Sequence, residues 1–525
     1  MGHENAGITR SAARVGAATM LSRVFGLARD TAFAVLFGTS FVADAFNLAF
    51  LIPNVFRRVV GEGNLNPAFV PVFTRILERD GEEAAGRFLR RAAGLLCVVL
   101  VGLVAVGMLA AGPLVHLYAH DWKSAPEDFR FAVGLLRLLF PSLLFAGLAA
   151  LATAALNARR RFVVAALSPI VLNLGFLIGA AAAVPFASLT QRAVVFSIGG
   201  LLGGLAAWLV QLPTLRKSGL PIGVAWEPRD SEVLRVARLM GPGIIALGVV
   251  QLNLFVDTIL ALRLEEGSLS AMRLANRLVL LPMGVVGVAV STASLPTLAS
   301  QAAAEDRRAA VGTLAHSLKL LVTLLVPAAV GLILLARPIV TLLFQYGAFT
   351  AERSTPMTAD TLVFYALGLP AFGLVRGLSQ GFYSVQDTKT PVKIATAGMI
   401  VNVVLDVVLM IPLGLRGLAL ATSIAAWMNV WMSWALLRRH FGEIRGTGLW
   451  TSVVRVALAS GALAAACVLG ITWTAPLGDG VPARVAQVAV PMVLGIAALL
   501  GASFALRHHE MREILESLPG RGRRR

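Results

Sequence analysis

Charge is scarce in this chain. Of its 525 residues, 14% are Asp, Glu, Lys or Arg, where an average soluble protein has about 25%. That deficit excludes an ordinary water-soluble globule. Cysteine is almost absent: Cys97 and Cys467 are the only two, both inside apolar runs. There is thus no disulfide framework, thiolate metal site or CxxC pair. Acidic residues are outnumbered, 28 against 46 Lys and Arg, leaving a formal net charge of +18. No Walker A lysine motif, HExxH or nucleophile elbow occurs, which argues against ATP hydrolysis. The first apolar run is interrupted by charges and no small-residue cleavage site follows it. It therefore reads as a retained membrane helix and not as a signal peptide. No block between the apolar runs is large enough for a soluble domain, so the function belongs to the membrane part.

What the chain has is hydrophobic length. It is 57% hydrophobic with a mean hydropathy of +0.79, and runs of about 20 apolar residues, enough to cross a hydrocarbon core, recur from end to end. The expected fold is all-α and polytopic, with about fourteen spans near 8–37, 41–61, 87–112, 131–158, 162–184, 190–216, 232–262, 270–299, 311–335, 357–386, 391–411, 415–437, 450–473 and 483–506. Basic residues gather in alternate loops, among them Arg75, Arg79, Arg159 to Arg161, Arg307-Arg308 and Arg438-Arg439, and in the tail at Arg521 and Arg523 to Arg525. The positive-inside rule accounts for this pattern, and so for the net charge, without nucleic acid as a partner. It places both termini in the cytoplasm.

An internal duplication shows at one spacing. Pro53 and Pro282, Pro67 and Pro296, Pro141 and Pro370, and Asn173 and Asn402 are each 229 residues apart; Asp30-Thr31 and Asp257-Thr258 are 227 apart. Four matches at one offset, in equivalent spans, indicate two six-span lobes, 1–217 and 218–440, with 441–525 as a two-span appendix and a basic tail. An even number of spans per repeat makes the lobes parallel, an arrangement found in transporters that rock two halves about a midplane site.

The polar residues inside the spans are the candidates for function, because an arginine at a bilayer centre costs roughly 2.5–3.5 kcal/mol on insertion scales. In "MLSRVFGLARDTAFAVLFG", Arg23, Gly26 and Asp30 share a helical face at i, i+3 and i+7. Arg29 points elsewhere on a regular helix, and Gly26 gives the helix a place to bend or unwind. Asp30 either serves a site or simply neutralises one arginine, although one carboxylate cannot cancel two. Arg57 is a site residue or an interfacial anchor, while Arg58 suits the anchor role. Ser22, Gly26 and the glycine-flanked Glu62 are the candidate gate residues. Arg277 and Arg376 complete a cationic set drawn from both lobes. Guanidiniums suit a phosphate-bearing cargo because their planar forks stay charged and bind oxygens in pairs. Asp257, Asn402, Asp406 and Thr422 form a second polar group of hard oxygen donors. They suit an alkali cation or a hydrogen-bonded helix contact.

"SRVFGLARD", "ADAFNLAFLIPNVFRRVVGEGNLNPAFVPVF", "LFQYGAFT" and "GFYSVQDTKTPVK" resemble the MurJ (MviN) family of lipid II flippases, within the multidrug/oligosaccharidyl-lipid/polysaccharide (MOP) exporter superfamily. The resemblance runs through essentially the whole chain. It implies transport of lipid II, the undecaprenyl-pyrophosphate disaccharide pentapeptide, from the inner to the outer leaflet of the bacterial cytoplasmic membrane for cell wall synthesis, with no enzymatic step. It implies two lobes around a cationic cavity, and two C-terminal helices forming a groove for the lipid tail. Lipid II, membrane lipids and other cell-wall synthesis proteins are the implied partners. By the same resemblance, Arg23, Arg29, Asp30, Arg57, Arg277 and Arg376 would engage the cargo. Asp257, Asn402, Asp406 and Thr422, with the Leu418 carbonyl, would hold Na+ as a coupling ion, and no other cofactor is implied. Asn276 stands where some relatives have aspartate. A flippase for another polyprenyl-pyrophosphate oligosaccharide and a cation-coupled drug antiporter share the two-lobe design. The antiporter should show a carboxylate-rich cavity instead of an arginine-rich one.

Overall fold

The computed structural model describes residues 2–58, 65–442 and 447–516, with side chains described from Gly16 onward except at 17, 242, 245–250 and 288. Glu62, one of the candidate gate residues, lies outside the described residues. Every regular element among those described is helical. By compactness the chain forms two units, 1–270 with 346–349 and 271–345 with 350–525.

The first unit contains α1 (Gly2–Phe37), α2 (Phe41–Arg57), α3 (Leu65–Leu109), α4 (Ala111–Tyr118), α5 (Pro126–Leu139), α6 (Ser142–Ala158), α7 (Phe162–Ala183), α8 (Leu189–Leu209), α9 (Leu212–Lys217) and α10 (Ser231–Leu262). Local chemistry sets its boundaries. Gly38, at φ 58°, ends α1, and the Ser40 hydroxyl caps α2 by accepting from the Ala43 N–H. Asp230 caps α10 by accepting from the Glu232 and Val233 N–H groups. Its other oxygen accepts from Arg91 at 2.7 Å. Gly81, at φ 84°, breaks α3 in two. The part before the break was not expected as a span, yet it buries Leu65, Phe69, Val72, Phe73 and Ile76 along one face. α7 and α8 meet through glycines: a Cβ on Gly175 would lie 2.3 Å from the Gly203 Cα, so only the missing side chain permits the approach. Beside this seam, Phe33, Phe37, Phe46, Phe176 and Phe196 pack ring on ring.

Around the second unit run α11 (Ser268–Pro282, whose first three residues belong to the first unit), α12 (Val288–Ala303), α13 (Arg307–Leu334), α14 (Ala336–Phe344), α15 (Ser354–Ala366), α16 (Leu369–Ser384), α17 (Lys389–Leu413), α18 (Leu415–Phe441), α19 (Leu449–Thr474), α20 (Val481–Ala505) and α21 (His509–Glu516). A π-helical turn, Met283–Gly287, separates α11 from α12 just after Pro282, where the proline removes a helical donor. The tail helix α21 docks on α13, and His508 just ahead of it reaches α19. Lys319 pairs with Glu510 at 3.3 Å, His316 with Glu513 at 3.3 Å, and the His508 ring meets the Ser452 hydroxyl at 3.2 Å. His508 Nδ1 accepts from the Met511 N–H, which places the neutral ring's proton on Nε2. Burial lowers the His508 pKa, with Arg455, Lys319 and His509 acting the same way and Glu510 opposing them. A solvated His508-His509 pair was the sequence expectation; His509 is exposed, but His508 is buried.

Among the described residues, eleven helical stretches are long and apolar enough to cross a membrane. They correspond to all the expected spans except the first, second and seventh. Those three are helical as well: α1 carries its charges within the run, α2 is 17 residues long, and the apolar part described in α10 is Gln251–Leu262. The repeat gains a fifth pair in the backbone. Gly38 and Gly267, again 229 apart, both adopt positive φ, 58° and 88°, ahead of the second helix of each repeat.

Candidate functional site

α1 is continuous through Gly26, so the helix is not unwound there. The guanidinium of Arg29 instead turns onto its sequence neighbour: Nη2 and Nε donate to Asp30 Oδ1 at 2.6 and 3.1 Å. On its other side it faces the Phe176 ring of α7, 5.7 Å from the centroid, within the range of a cation–π contact. Arg29 and Asp30 are both half-buried, as are Ser22 and Arg23.

A cavity of about 220 Å³ opens inside the same unit, among α2, α5, α6, α7 and α8. Arg57 lines it and donates from Nε to Asn54 Oδ1 at 2.9 Å, while Arg58 is exposed. Asn66, Thr153 and Ser168 add polar groups to the wall, and Phe50 and Phe176 add aromatic carbon. Thr153 and Ser168 are held from behind by Gln211, which is fully buried. Thr153 donates to Gln211 Oε1 at 3.0 Å, and Gln211 Nε2 reaches the Ala149 and Ala207 carbonyls and the Ser168 hydroxyl. Sequence reasoning passed over Gln211, Thr153 and Ser168, because uncharged polar residues in an apolar run carry no sign of where they point.

Asp44 is another residue the sequence left without a role. Its carboxylate is buried, and it accepts from the Gly267 N–H at 2.8 Å, the Ser270 N–H at 2.9 Å and the Ser270 hydroxyl at 2.6 Å. Asn47, one turn along α2, donates to the same hydroxyl at 2.9 Å. The carboxylate thus serves as the cap of α11 from another helix.

In the second unit, Arg277 is half-buried, whereas Arg376 and Asn276 are exposed. Asn402 and Asp406 are buried one turn apart in α17, on the stripe that includes Ile394 and Gly398. Neither polar atom of the Asn402 amide has a hydrogen-bond partner among the described residues, a costly state for a buried amide. In α18 the Thr422 hydroxyl donates to the Leu418 carbonyl at 3.0 Å. Asp257 belongs to the first unit, where Asn253 donates to its Oδ2 at 3.2 Å. No three His, Cys, Asp or Glu side chains cluster as a metal site among the described residues. Asn402 Oδ1, the Asp406 carboxyl, the Thr422 hydroxyl and the Leu418 carbonyl are all hard oxygen donors, the type that suits an alkali cation.

This is the architecture of a polytopic, all-helical membrane transporter with the fold of the MOP superfamily. An inward-facing MATE-family multidrug transporter of that superfamily matches at a TM-score of 0.67 and 14% identity, over 83% of this chain and 99% of that one. The family model "Lipid II flippase MurJ" matches residues 33–478, and the chain belongs to that family. A probable lipid II flippase MurJ of Rhizobium meliloti is 37% identical, over 90% of this chain and 89% of its own length. The lipid II flippase MurJ of Burkholderia cenocepacia is 33% identical, over 94% and 96%. The structure of a lipid II flippase MurJ in an inward-closed conformation matches at a TM-score of 0.77 and 27% identity, over 95% of this chain and 99% of that one.

Proposed function

We propose that this chain is a lipid II flippase, carrying the undecaprenyl-pyrophosphate-linked disaccharide pentapeptide from the inner to the outer leaflet of a bacterial cytoplasmic membrane. The observation that carries the reading is the family match along residues 33–478. The chemistry agrees with it. Arg23, Arg29 and Arg57 supply positive charge inside the membrane part of the first unit, and Arg277 and Arg376 supply it in the second. A pyrophosphate is the anion that planar guanidiniums hold best. Asp30 holds Arg29 in place, and Phe176 presents it.

The cycle is alternating access without covalent chemistry: neutralising the arginines with cargo shifts the balance between inward-open and outward-open states. Both termini lie in the cytoplasm, as the basic loops require. α19 and α20 offer apolar surface to the lipid tail. Asn402, Asp406, Thr422 and the Leu418 carbonyl take up Na+, and the ion resets the cycle. The inside-negative potential adds about 2.3 kcal/mol per charge at 100 mV.

The test is a leaflet-accessibility assay for lipid II in cells depleted of their own flippase and complemented with this chain. Outer-leaflet lipid II should reappear with the wild type and fail to do so with Arg23→Ala or Arg29→Ala. No recovery with a well-expressed wild type refutes the function, and full recovery with both variants refutes the site.

A further inference from the structure

We propose that the cavity among α2, α5, α6, α7 and α8 is a subsite for one pyranose ring, the sugar next to the pyrophosphate of the cargo; this rests on the flippase reading above. The wall has two kinds of surface, and a sugar needs both. The half-buried Phe50 meets the buried Phe176 edge to face at 5.5 Å and 85°, and the pair gives the wall an aromatic patch for a pyranose's C–H side. Opposite kinds of group, the Asn54 and Asn66 amides and the Thr153 and Ser168 hydroxyls, suit ring hydroxyls and an acetamido substituent.

Charge is placed for the adjoining phosphate. Arg57 lines the same cavity, and Phe176 carries Arg29 against its ring. The volume, about 220 Å³, is below the roughly 300–1,000 Å³ of sites for drug-sized ligands. It accommodates a single ring and excludes a disaccharide pentapeptide. Gln211 is the sign that the polar wall is built for use. A fully buried amide bonded to four groups on the neighbouring helices is expensive in a membrane lobe unless every partner is met. Here it meets them and fixes the two hydroxyls: Thr153 donates to Gln211, Ser168 donates to the Ala207 carbonyl, and both keep acceptor lone pairs for a ligand.

Glycine supplies a clean test. Gly204 lines the cavity, yet a Cβ placed on it would meet nothing nearer than 3.9 Å, whereas one on Gly203 would strike the Leu172 carbonyl at 2.8 Å. A methyl group added at 204, on the cavity wall, therefore fits without parting the helices. The experiment measures binding of undecaprenyl pyrophosphate, of the same lipid bearing one sugar with its pentapeptide, and of lipid II, to the purified full chain. Wild type should bind both sugar-bearing lipids roughly tenfold more tightly than the bare pyrophosphate, the worth of one well-placed polar ring. Gly204→Val should erase that preference and leave binding of the bare pyrophosphate unchanged. Gly204→Ala, the milder filling, should reduce the preference, as should Thr153→Val, while Thr153→Ser should keep it. The proposal is overturned if wild type shows no preference for the sugar, if the filled variants retain it, or if they weaken all three lipids equally. Wild type that binds none of the three lipids overturns the flippase reading instead.

Discussion

Ser270 donates twice to Asp44, through its backbone N–H at 2.9 Å and its hydroxyl at 2.6 Å, both to Oδ1. With the Gly267 N–H on Oδ2, one buried carboxylate satisfies donors at the start of α11 that have no helical acceptor of their own. Asp44→Ala should cost about 1–3 kcal/mol, since buried donors are left unmet. Asp44→Asn should cost less, keeping one acceptor oxygen while turning an amide toward N–H groups. Thermal unfolding of the two variants in detergent orders these losses, and equal melting temperatures for wild type and Asp44→Ala would refute the capping role.

Arg29 is held by a carboxylate and a ring together. Arg29→Lys keeps the charge but gives up the planar fork and most of the ring contact. Transport should fall by roughly tenfold, the equivalent of about 1.4 kcal/mol, whereas Arg29→Ala should leave none measurable. Lysine performing as well as arginine in the leaflet-accessibility assay would show that charge alone suffices.

Docking of α21 should depend on pH. Burial keeps the His508 pKa below its ordinary value, so the undocked tail takes up protons that the docked one does not. The sign follows: docking is complete above roughly pH 6.5 and weakens as pH falls below it. Protonation also removes the Nδ1 acceptor of the Met511 N–H. Hydrogen exchange of residues 509–516 should accelerate between pH 7 and 5.5, and His508→Asn should flatten that dependence. A pH-independent exchange rate in the wild type would remove the claim.

For sodium, the discriminating residue is Asn402, whose buried amide lacks a hydrogen-bond partner among the described residues. Asn402→Ala and Asp406→Ala should each abolish saturable Na+ binding by calorimetry. Binding that survives these substitutions would leave α17 with a hydrogen-bonded helix contact and no ion.

The helical, polytopic fold was legible from composition, because apolar length is a property of the chain alone. Ionised residues in the membrane were legible for a similar reason: Arg29 and Asp406 stand out against their neighbours. What they touch was not. The face-sharing rule put Arg29 away from Asp30, but long side chains on consecutive residues reach each other by curling along the helix surface. Asp44 had no role the sequence could assign, because its use as a cap for a helix some 225 residues on depends on the fold. His508 seemed solvated because polar tail residues generally are; the docking of α21 buried it. Thr153, Ser168 and Gln211 were invisible for want of charge.

Gln211 has one more consequence. Its amide links residues of α6, α7 and α8, so those walls are set before anything enters the space they bound. An antibacterial compound shaped to that space would meet a receptor needing no rearrangement, and little of its affinity would go into ordering side chains. The hollow is small and partly aromatic, with guanidinium at its edge. A compact, neutral ring bearing one acidic substituent is the chemistry to screen.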